Sequence, residues 1–178
     1  MDEQSTSGAP AAGLFRRLAA LVYDCLLLLA ILFVGTLAIL PLTGGEGIAP
    51  SAQGLGAYLV YRAYLALLAL GYFGLPWTRG GQTLGMLAWG IRLRFADDAT
   101  PGWPAAGRRF ALGLVLAIAA EFGMRLALGS GSLGRAVAGG LLLLPLFVNF
   151  AWVLFDVRGR SLQDLACQTQ ILRIEKRA

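Results

Sequence analysis

Residues 18–40 read LAALVYDCLLLLAILFVGTLAIL, an apolar run that contains one charged residue, Asp24. Three further apolar stretches of similar length follow at residues 57–75, 110–128 and 136–155. A helix rises ~1.5 Å per residue, so ~20 residues are enough to cross a ~30 Å hydrocarbon layer. The sequence therefore predicts an all-α membrane protein, built as a four-transmembrane-helix bundle.

The composition argues against a soluble helical bundle. Hydrophobic residues make up 57% of the 178 residues and charged residues 14%, whereas ~25% of an ordinary soluble domain is charged. Mean hydropathy is +0.68, and the apolar runs lack a polar face. We expect one membrane domain over residues 14–174. It is flanked by an N-terminal tail at 1–13, expected to be disordered, and by a short C-terminal tail at 175–178.

The lysine and arginine residues outside the spans predict which side each loop faces. They precede the first span, lie between the second and third, and follow the fourth, whereas the other two connections contain only Arg135. Basic loops are retained on the cytoplasmic side of a membrane. Both termini and the segment 76–109 are therefore predicted to be cytoplasmic. The lipid bilayer is the partner that explains the net charge of +5, and no nucleic acid is expected.

Two short segments on the predicted cytoplasmic side have the pattern of strands. Ile91–Phe95 (IRLRF) alternates apolar and basic residues, and residues 170–174 (QILRI) are also rich in strand-forming residues. Because a lone strand leaves its backbone unpaired, we expect a small two-stranded ribbon that joins the central loop to the C-terminal region. Thr83 is placed to cap a short interfacial helix before it. The alternative is two flexible basic segments near anionic lipid head groups.

Polar residues near the cytoplasmic ends of the spans form an inner layer. It contains Arg17, Asp24, Asn149 and Asp156. An ionisable residue within a span costs ~2.5–3.5 kcal/mol, so each one requires a partner or a function. Asp24 lies ~10 Å deep and shares a helix face with Arg17, which reaches it only by snorkelling, so residues of other helices or of the tail are further candidate partners. We expect a functional role for Asp24, since a carboxylate in low dielectric can take up a proton.

An outer layer lies near the opposite ends of the spans. Glu121 and Arg125 are one helical turn apart and can pair, and Arg62 lies at a matching depth on the second span. We interpret this group as an ion cluster that fixes helix rotation and register in lipid. Small residues at Gly113 and Ala117, and at Ala136 and Gly140, predict close helix packing.

The side chains of common catalytic sites are missing from the sequence. It contains no histidine, which is the usual general base and the commonest zinc ligand. Phosphate-binding loops, nucleophile elbows and Cys-x-x-Cys pairs are also missing. We expect no enzymatic activity, no cofactor and no metal site.

Four motifs, in order, resemble the RDD family of bacterial membrane proteins. They are RRLAALVYD at residues 16–24, GQTLG at 81–85, GIRL at 90–93, and RSLQDL at 160–165 followed by Thr169. The resemblance extends over residues 13–174. It places the arginine and the two aspartates for which the family is named at Arg17, Asp24 and Asp164. It also implies a multi-pass protein of the bacterial inner membrane.

Two positions depart from the family pattern. Met86 stands where a basic residue is common, and Gln163 stands where a histidine is common, so a relay through that histidine cannot operate here. Transport has been proposed for the family, and some members resemble sodium/proton antiporters.

The leading functional hypothesis is a small transporter that exchanges a monovalent cation for protons. In this hypothesis Asp24 titrates, Asp164 gates or orients Arg17, and a homo-oligomer completes the pathway because four helices form a thin bundle. The alternative is a non-transporting membrane interaction or assembly protein, whose ribbon and basic loop dock a partner.

Overall fold

The computed structural model describes residues 10–45, 50–95, 99–129 and 133–174. The four long helices are α1 (Leu14–Ile39), α2 (Pro50–Arg79), α4 (Trp103–Leu128) and α5 (Leu133–Ala151). The short elements are helices α3 (Leu84–Ala88) and α6 (Leu162–Cys167), and strands β1 (Ile91–Phe95) and β2 (Thr169–Arg173). Single 3-10 turns extend α1 over Leu40–Thr43 and α5 over Trp152–Leu154.

The four long helices confirm the predicted spans. Each is long and apolar enough to cross a membrane. Large apolar side chains point away from the bundle: Leu29, Phe33 and Phe147 are each 63–66% exposed. An exposed apolar surface of this extent is suited to lipid and would be an aggregation liability in water. The architecture is that of a multi-pass membrane protein.

The helices and the apolar runs do not share the same ends. Helix α4 begins at Trp103 and not at residue 110, so Arg108 and Arg109 lie inside it. Pro104 occupies its first turn, where the missing N–H of proline costs nothing. The apolar run marks the part of a helix that lies in lipid, whereas caps and prolines determine where the helix itself begins.

Helices α4 and α5 pack side by side through two glycines. A Cβ atom built on Gly123 would lie 2.7 Å from the Gly139 carbonyl oxygen, and one built on Gly139 would lie 2.5 Å from that of Gly123. Only glycine permits this approach of the two backbones. The predicted small-residue pair on α5 is wrong in part, because a Cβ atom on Gly140 would meet no atom within 4 Å.

The short elements gather at one end of the bundle, called here the sheet end, where α1 and α4 begin and α2 and α5 end. Strands β1 and β2 pair antiparallel, with Leu93 opposite Ile171. The predicted ribbon is therefore confirmed, with β2 starting one residue earlier than expected. Ile91, Leu93 and Ile171 alternate onto one buried face and form a core with Trp77 and Met86.

An extended N-terminal segment covers the second edge of β2. Ala12 donates its N–H to the Ile171 carbonyl oxygen at 2.9 Å, and the Pro10 carbonyl oxygen accepts from the Arg173 N–H at 2.9 Å. Ala12 is buried. The prediction of disorder is wrong for residues 10–12, because pairing with β2 satisfies their backbone. Residues 1–9 and 175–178 of the predicted tails lie outside the described residues.

Candidate functional site

Asp24 accepts three hydrogen bonds at the sheet end of α1. Its Oδ1 accepts from the Tyr72 hydroxyl at 2.7 Å and from the Gly85 N–H at 2.9 Å, and its Oδ2 accepts from the Thr83 hydroxyl at 2.5 Å. The residue is 3% exposed and lies within a membrane span. We call Asp24, Tyr72, Thr83 and Gly85 the Asp24 site.

The local sequence of the Gly-Gln-Thr-Leu-Gly motif builds half of this site. Thr83 caps α3, where its Oγ1 accepts the Met86 N–H at 3.2 Å while its hydroxyl hydrogen is directed at Asp24. Gly85 lets α3 lie directly against α1, since a Cβ atom there would be 2.3 Å from the Ala20 carbonyl oxygen. The cap and the glycine thus aim one hydroxyl and one amide at the same carboxylate.

The donors of the Asp24 site are all neutral. Among the described residues, no basic nitrogen lies within 4 Å of the Asp24 carboxylate. Hydroxyl and amide donors offset much of the cost of burying this group, but they leave its negative charge without a counter-charge. The expected partner Arg17 does not contact Asp24, because it is held by a different carboxylate.

That carboxylate is Asp164, which lies between two arginines. Arg17 Nη1 donates to Oδ2 at 2.5 Å and Arg109 Nη1 donates to Oδ1 at 2.6 Å. The Ser161 N–H donates to Oδ2 at 3.0 Å, as part of the capping box that begins α6. Burial by itself raises the pKa of Asp164, but the charges of Arg109 and Arg17 outweigh it and hold that pKa below its usual range. We call Arg17, Arg109 and Asp164 the Asp164 cluster.

The Asp164 cluster connects distant parts of the chain and has a net charge of +1. Arg17 also donates to the carbonyl oxygens of Ala12 at 2.9 Å and Gly159 at 2.7 Å. Arg109 also donates to Thr169 Oγ1 at 2.9 Å. Both guanidinium groups are almost fully buried. One carboxylate thus joins α1, α4 and α6 in a single ionic contact, and the hydrogen bond from Arg109 to Thr169 adds β2.

The matching family model places this chain among known proteins. The model of the RDD family aligns with residues 11–168, nearly the whole chain. The chain belongs to the RDD family. No curated protein and no solved structure matches it.

In this RDD protein the three residues matched to the family name occupy two separate places. Arg17 and Asp164 are in direct contact, whereas Asp24 has its own set of neutral donors. The inner layer was predicted from depth alone, and its members take part in separate contacts. Equal depth in the membrane does not decide which helix faces meet.

Two residues of the predicted inner layer serve local structure. Asn149 Oδ1 accepts the Gln163 N–H at 2.9 Å and so supports the first turn of α6. Gln163 donates its side-chain amide to the Arg109 carbonyl oxygen at 2.6 Å. Asp156 binds the Arg160 guanidinium through both of its oxygens, and these bonds lower the Asp156 pKa to about 2.

The predicted contacts of the outer layer are present in the RDD protein. Glu121 Oε2 accepts from Arg62 at 2.9 Å and Oε1 accepts from Arg125 at 2.7 Å. These side chains are 37–72% exposed at the bundle surface. The role of this group as a positioning ion cluster stays a prediction.

Sequence reasoning missed Arg109 and Tyr72. Arg109 was counted only among the basic residues that set orientation. Its place one helical turn after two small residues, Ala105 and Ala106, is the sequence signal that could have indicated a closely packed face. Tyr72 lies in an apolar run, where a hydroxyl is easily read as an interfacial group.

Proposed function

We propose that this RDD protein exchanges a monovalent cation for protons, with Asp24 as the group that binds each in turn. A buried carboxylate in a membrane span that is held by neutral donors alone supports this proposal most directly. Its unpaired negative charge can be neutralised by a proton or by a monovalent cation. The hydroxyl oxygens of Tyr72 and Thr83 are further oxygen ligands for such a cation. The proposal includes no enzymatic step and no cofactor.

Protonation of Asp24 changes the hydrogen-bond pattern of the site. The ionised carboxylate accepts three bonds, whereas the protonated acid must donate one. A proton on Oδ2 is donated to the Thr83 oxygen, whose second lone pair is free while the first accepts the Met86 N–H. The Thr83 hydroxyl hydrogen then needs another acceptor. Proton uptake therefore reverses the hydrogen bond between Asp24 and Thr83, which links the charge of Asp24 to the hydrogen bonding of the α3 cap.

Reconstitution in proteoliposomes tests this proposal. An internal pH-sensitive dye reports proton flux when a sodium, potassium or lithium gradient is imposed. Asp24→Asn should insert and accumulate normally yet lose the flux, since its amide can donate to Thr83 as the protonated acid does. Tyr72→Phe removes one donor and should alter the exchange rate. Tyr23→Phe, a change at a half-exposed neighbour, is the matched control and should leave the exchange rate unchanged.

Asp24→Leu separates transport from structural support. Leucine leaves all three donors without an acceptor, so its yield should fall well below that of Asp24→Asn. Full flux in Asp24→Asn would exclude Asp24 as the coupling site. A wild-type protein that moves no protons under any of the three gradients would refute exchange itself.

We also propose that the sheet end and both termini face the cytoplasm of a bacterial cell and that the protein lies in its inner membrane. The distribution of lysine and arginine supports this orientation. In a variant without the native cysteines, Cys introduced at Ser51 should react with an impermeant thiol reagent added to intact cells. Cys introduced at exposed Arg173 should react only after lysis. The reverse labelling pattern would overturn the orientation.

We further propose that the protein forms a homo-oligomer, because four spans make a bundle that is thin for a transport pathway. Native mass spectrometry of the protein released from lipid discs should show a defined multiple of the chain mass. A purely monomeric protein with full exchange activity would contradict it.

The Asp164 cluster favours a second candidate function, a non-transporting interaction or assembly protein. Its carboxylate is fully engaged and holds the sheet end as one body, which is suited to presenting a rigid docking surface. A photo-crosslinker at Arg173 should then capture a defined partner in native membranes, and one at Leu42 should not. The interaction or assembly function is favoured over cation exchange if a partner is captured and no proton flux is measured.

A further inference from the structure

The surface beside the Asp164 cluster contains an open concavity of about 500 Å³. Its lining includes Arg158, Arg160, Gln168, Thr169 and Gln170. Arg160 is paired with Asp156. The Arg158 guanidinium has no hydrogen-bond partner within the part of the chain that the structure describes, although the Arg158 carbonyl oxygen accepts from the Gln170 side chain at 2.9 Å. The lining therefore offers an unpaired cation.

A second positive charge lies behind the concavity. Thr169 forms part of its lining, and Thr169 Oγ1 is the acceptor for Arg109. Asp164 neutralises one of the two buried guanidinium groups that it contacts, so the cluster contributes a net charge of +1 from beneath. Weakly screened buried charge adds to the field of Arg158 at the surface. The concavity thus favours an anion.

The chain next to Arg158 follows directly on the last candidate span. That span ends at Leu154, and Phe155 and Val157 follow with largely exposed side chains. A turn closed by the Gly159 N–H and the Asp156 carbonyl oxygen at 2.8 Å keeps Arg158 close to that boundary. The head-group layer extends about 5–7 Å beyond the hydrocarbon. In a bilayer that this span crosses, Phe155 and Val157 would lie beside acyl chains and Arg158 at the depth of the phosphates.

We propose that this concavity binds the phosphate of an anionic phospholipid head group, with Arg158 as its direct contact. The buried cluster supplies the supporting field, and Phe155 and Val157 contact the acyl chains. The phosphate could also come from a soluble anion, but a soluble anion makes no use of two exposed apolar side chains. The proposal is independent of cation exchange.

Lipid titration of the purified full-length protein tests the site. Binding of short-chain phosphatidylglycerol and phosphatidylcholine is measured by native mass spectrometry and by thermal shift at physiological salt. The wild type should prefer phosphatidylglycerol, and Arg158→Gln should lower that preference roughly five-fold. Arg158→Lys should retain most of it. Arg79→Gln, which removes an exposed arginine of the same end outside the concavity, should lower the preference clearly less than Arg158→Gln does.

Two further arms make the outcome decisive. Gln168→Glu adds a negative charge to the exposed lining and should also lower the preference, which provides a result if Arg158→Gln does not fold. Inorganic phosphate and glycerol phosphate should bind far more weakly than the lipid. Equal losses in Arg158→Gln and Arg79→Gln, or an unchanged preference in Gln168→Glu, would overturn the site. Binding of inorganic phosphate as tight as that of the lipid would overturn the assignment to lipid.

Discussion

Removing Asp164 should destabilise the protein more than removing Arg109, although the two are partners in one contact. The cluster has two positive charges and one negative charge, with Nη1 to carboxylate distances of 2.5 and 2.6 Å. Asp164→Asn leaves two buried guanidinium groups facing each other without a counter-charge. Arg109→Gln leaves the one-to-one pair of Arg17 and Asp164. The net charge is thus +2 in the first variant and zero in the second.

The expected magnitudes follow from burial. Breaking a buried pair so that a charge stays unpaired costs about 3–5 kcal/mol, which is the expectation for Asp164→Asn. Arg109→Gln loses charged hydrogen bonds worth about 1.5–3 kcal/mol. In the double variant the net charge returns to +1, so its destabilisation should be at least about 1 kcal/mol smaller than the sum of the single changes.

Unfolding by sodium dodecyl sulfate in mixed micelles provides the measurement. Tryptophan fluorescence is a suitable signal because the Trp77 ring centre lies 5.8 Å from the Arg109 guanidinium carbon. The four proteins of the double-mutant cycle are compared in the same detergent. An Arg109→Gln variant as unstable as Asp164→Asn, or a strictly additive double variant, would refute the charge-balance reasoning.

Three other perturbations test packing and charge at the sheet end. Gly85→Ala should cost about 1–3 kcal/mol of unfolding free energy, because the new Cβ would lie 2.3 Å from the Ala20 carbonyl oxygen. The control Gly107→Ala has open space around the new Cβ and should be neutral or stabilising by about 0.5–1 kcal/mol. Equal shifts in the melting temperature of the two variants would contradict the close approach at Gly85. Leu93→Pro removes an N–H that donates to the Gly81 carbonyl oxygen at 2.7 Å, so limited proteolysis at the sheet end should exceed that of Leu93→Ala. Equal cleavage of the two variants would show that the hydrogen bond between Leu93 and Gly81 does not stabilise β1. The folded pKa of Asp164 is depressed, so the stability that its charge contributes is fully present above the unfolded pKa of ~3.9 and is lost as pH falls through the folded pKa. The difference in unfolding free energy between wild type and Asp164→Asn should therefore stay constant from neutral pH to about 4 and decrease only below it. A decrease of that difference near pH 6 would contradict a depressed pKa.

The sequence predicted the four spans, α3 and the two strands because each has a local signal, whereas it did not predict α6. Apolar length identifies spans, period-two alternation identifies β1, and Thr83 marks a helix start. The contacts of Glu121 were also predictable. Arg125 is its neighbour one turn along the same helix, and Arg62 lies at the same depth on the second span. These predictions needed no knowledge of helix rotation.

The candidate sites were less predictable because they depend on rotation and on neighbour choice. Depth placed Arg17 and Asp24 in one layer but did not identify their partners: Arg17 contacts a carboxylate 147 positions away, and Asp24 contacts Tyr72 and Thr83. No local pattern specifies such pairings. Arg109 could not be identified for the same reason. In the sequence it is one of the basic residues that indicate the cytoplasmic end of a span, whereas in the structure it is a buried partner of Asp164.

The antiparallel pairing of Ala12 with the last strand has a consequence for biogenesis. The ribosome delivers Arg17 and Arg109 to the membrane long before it has synthesised Asp164 and β2. During that interval both guanidinium groups are without their carboxylate, and the edge of the N-terminal segment is open. The Asp164 cluster can thus join the inserted helices only after α6 and β2 have been synthesised. A chain truncated before α6 would lack the carboxylate that joins α1 to α4.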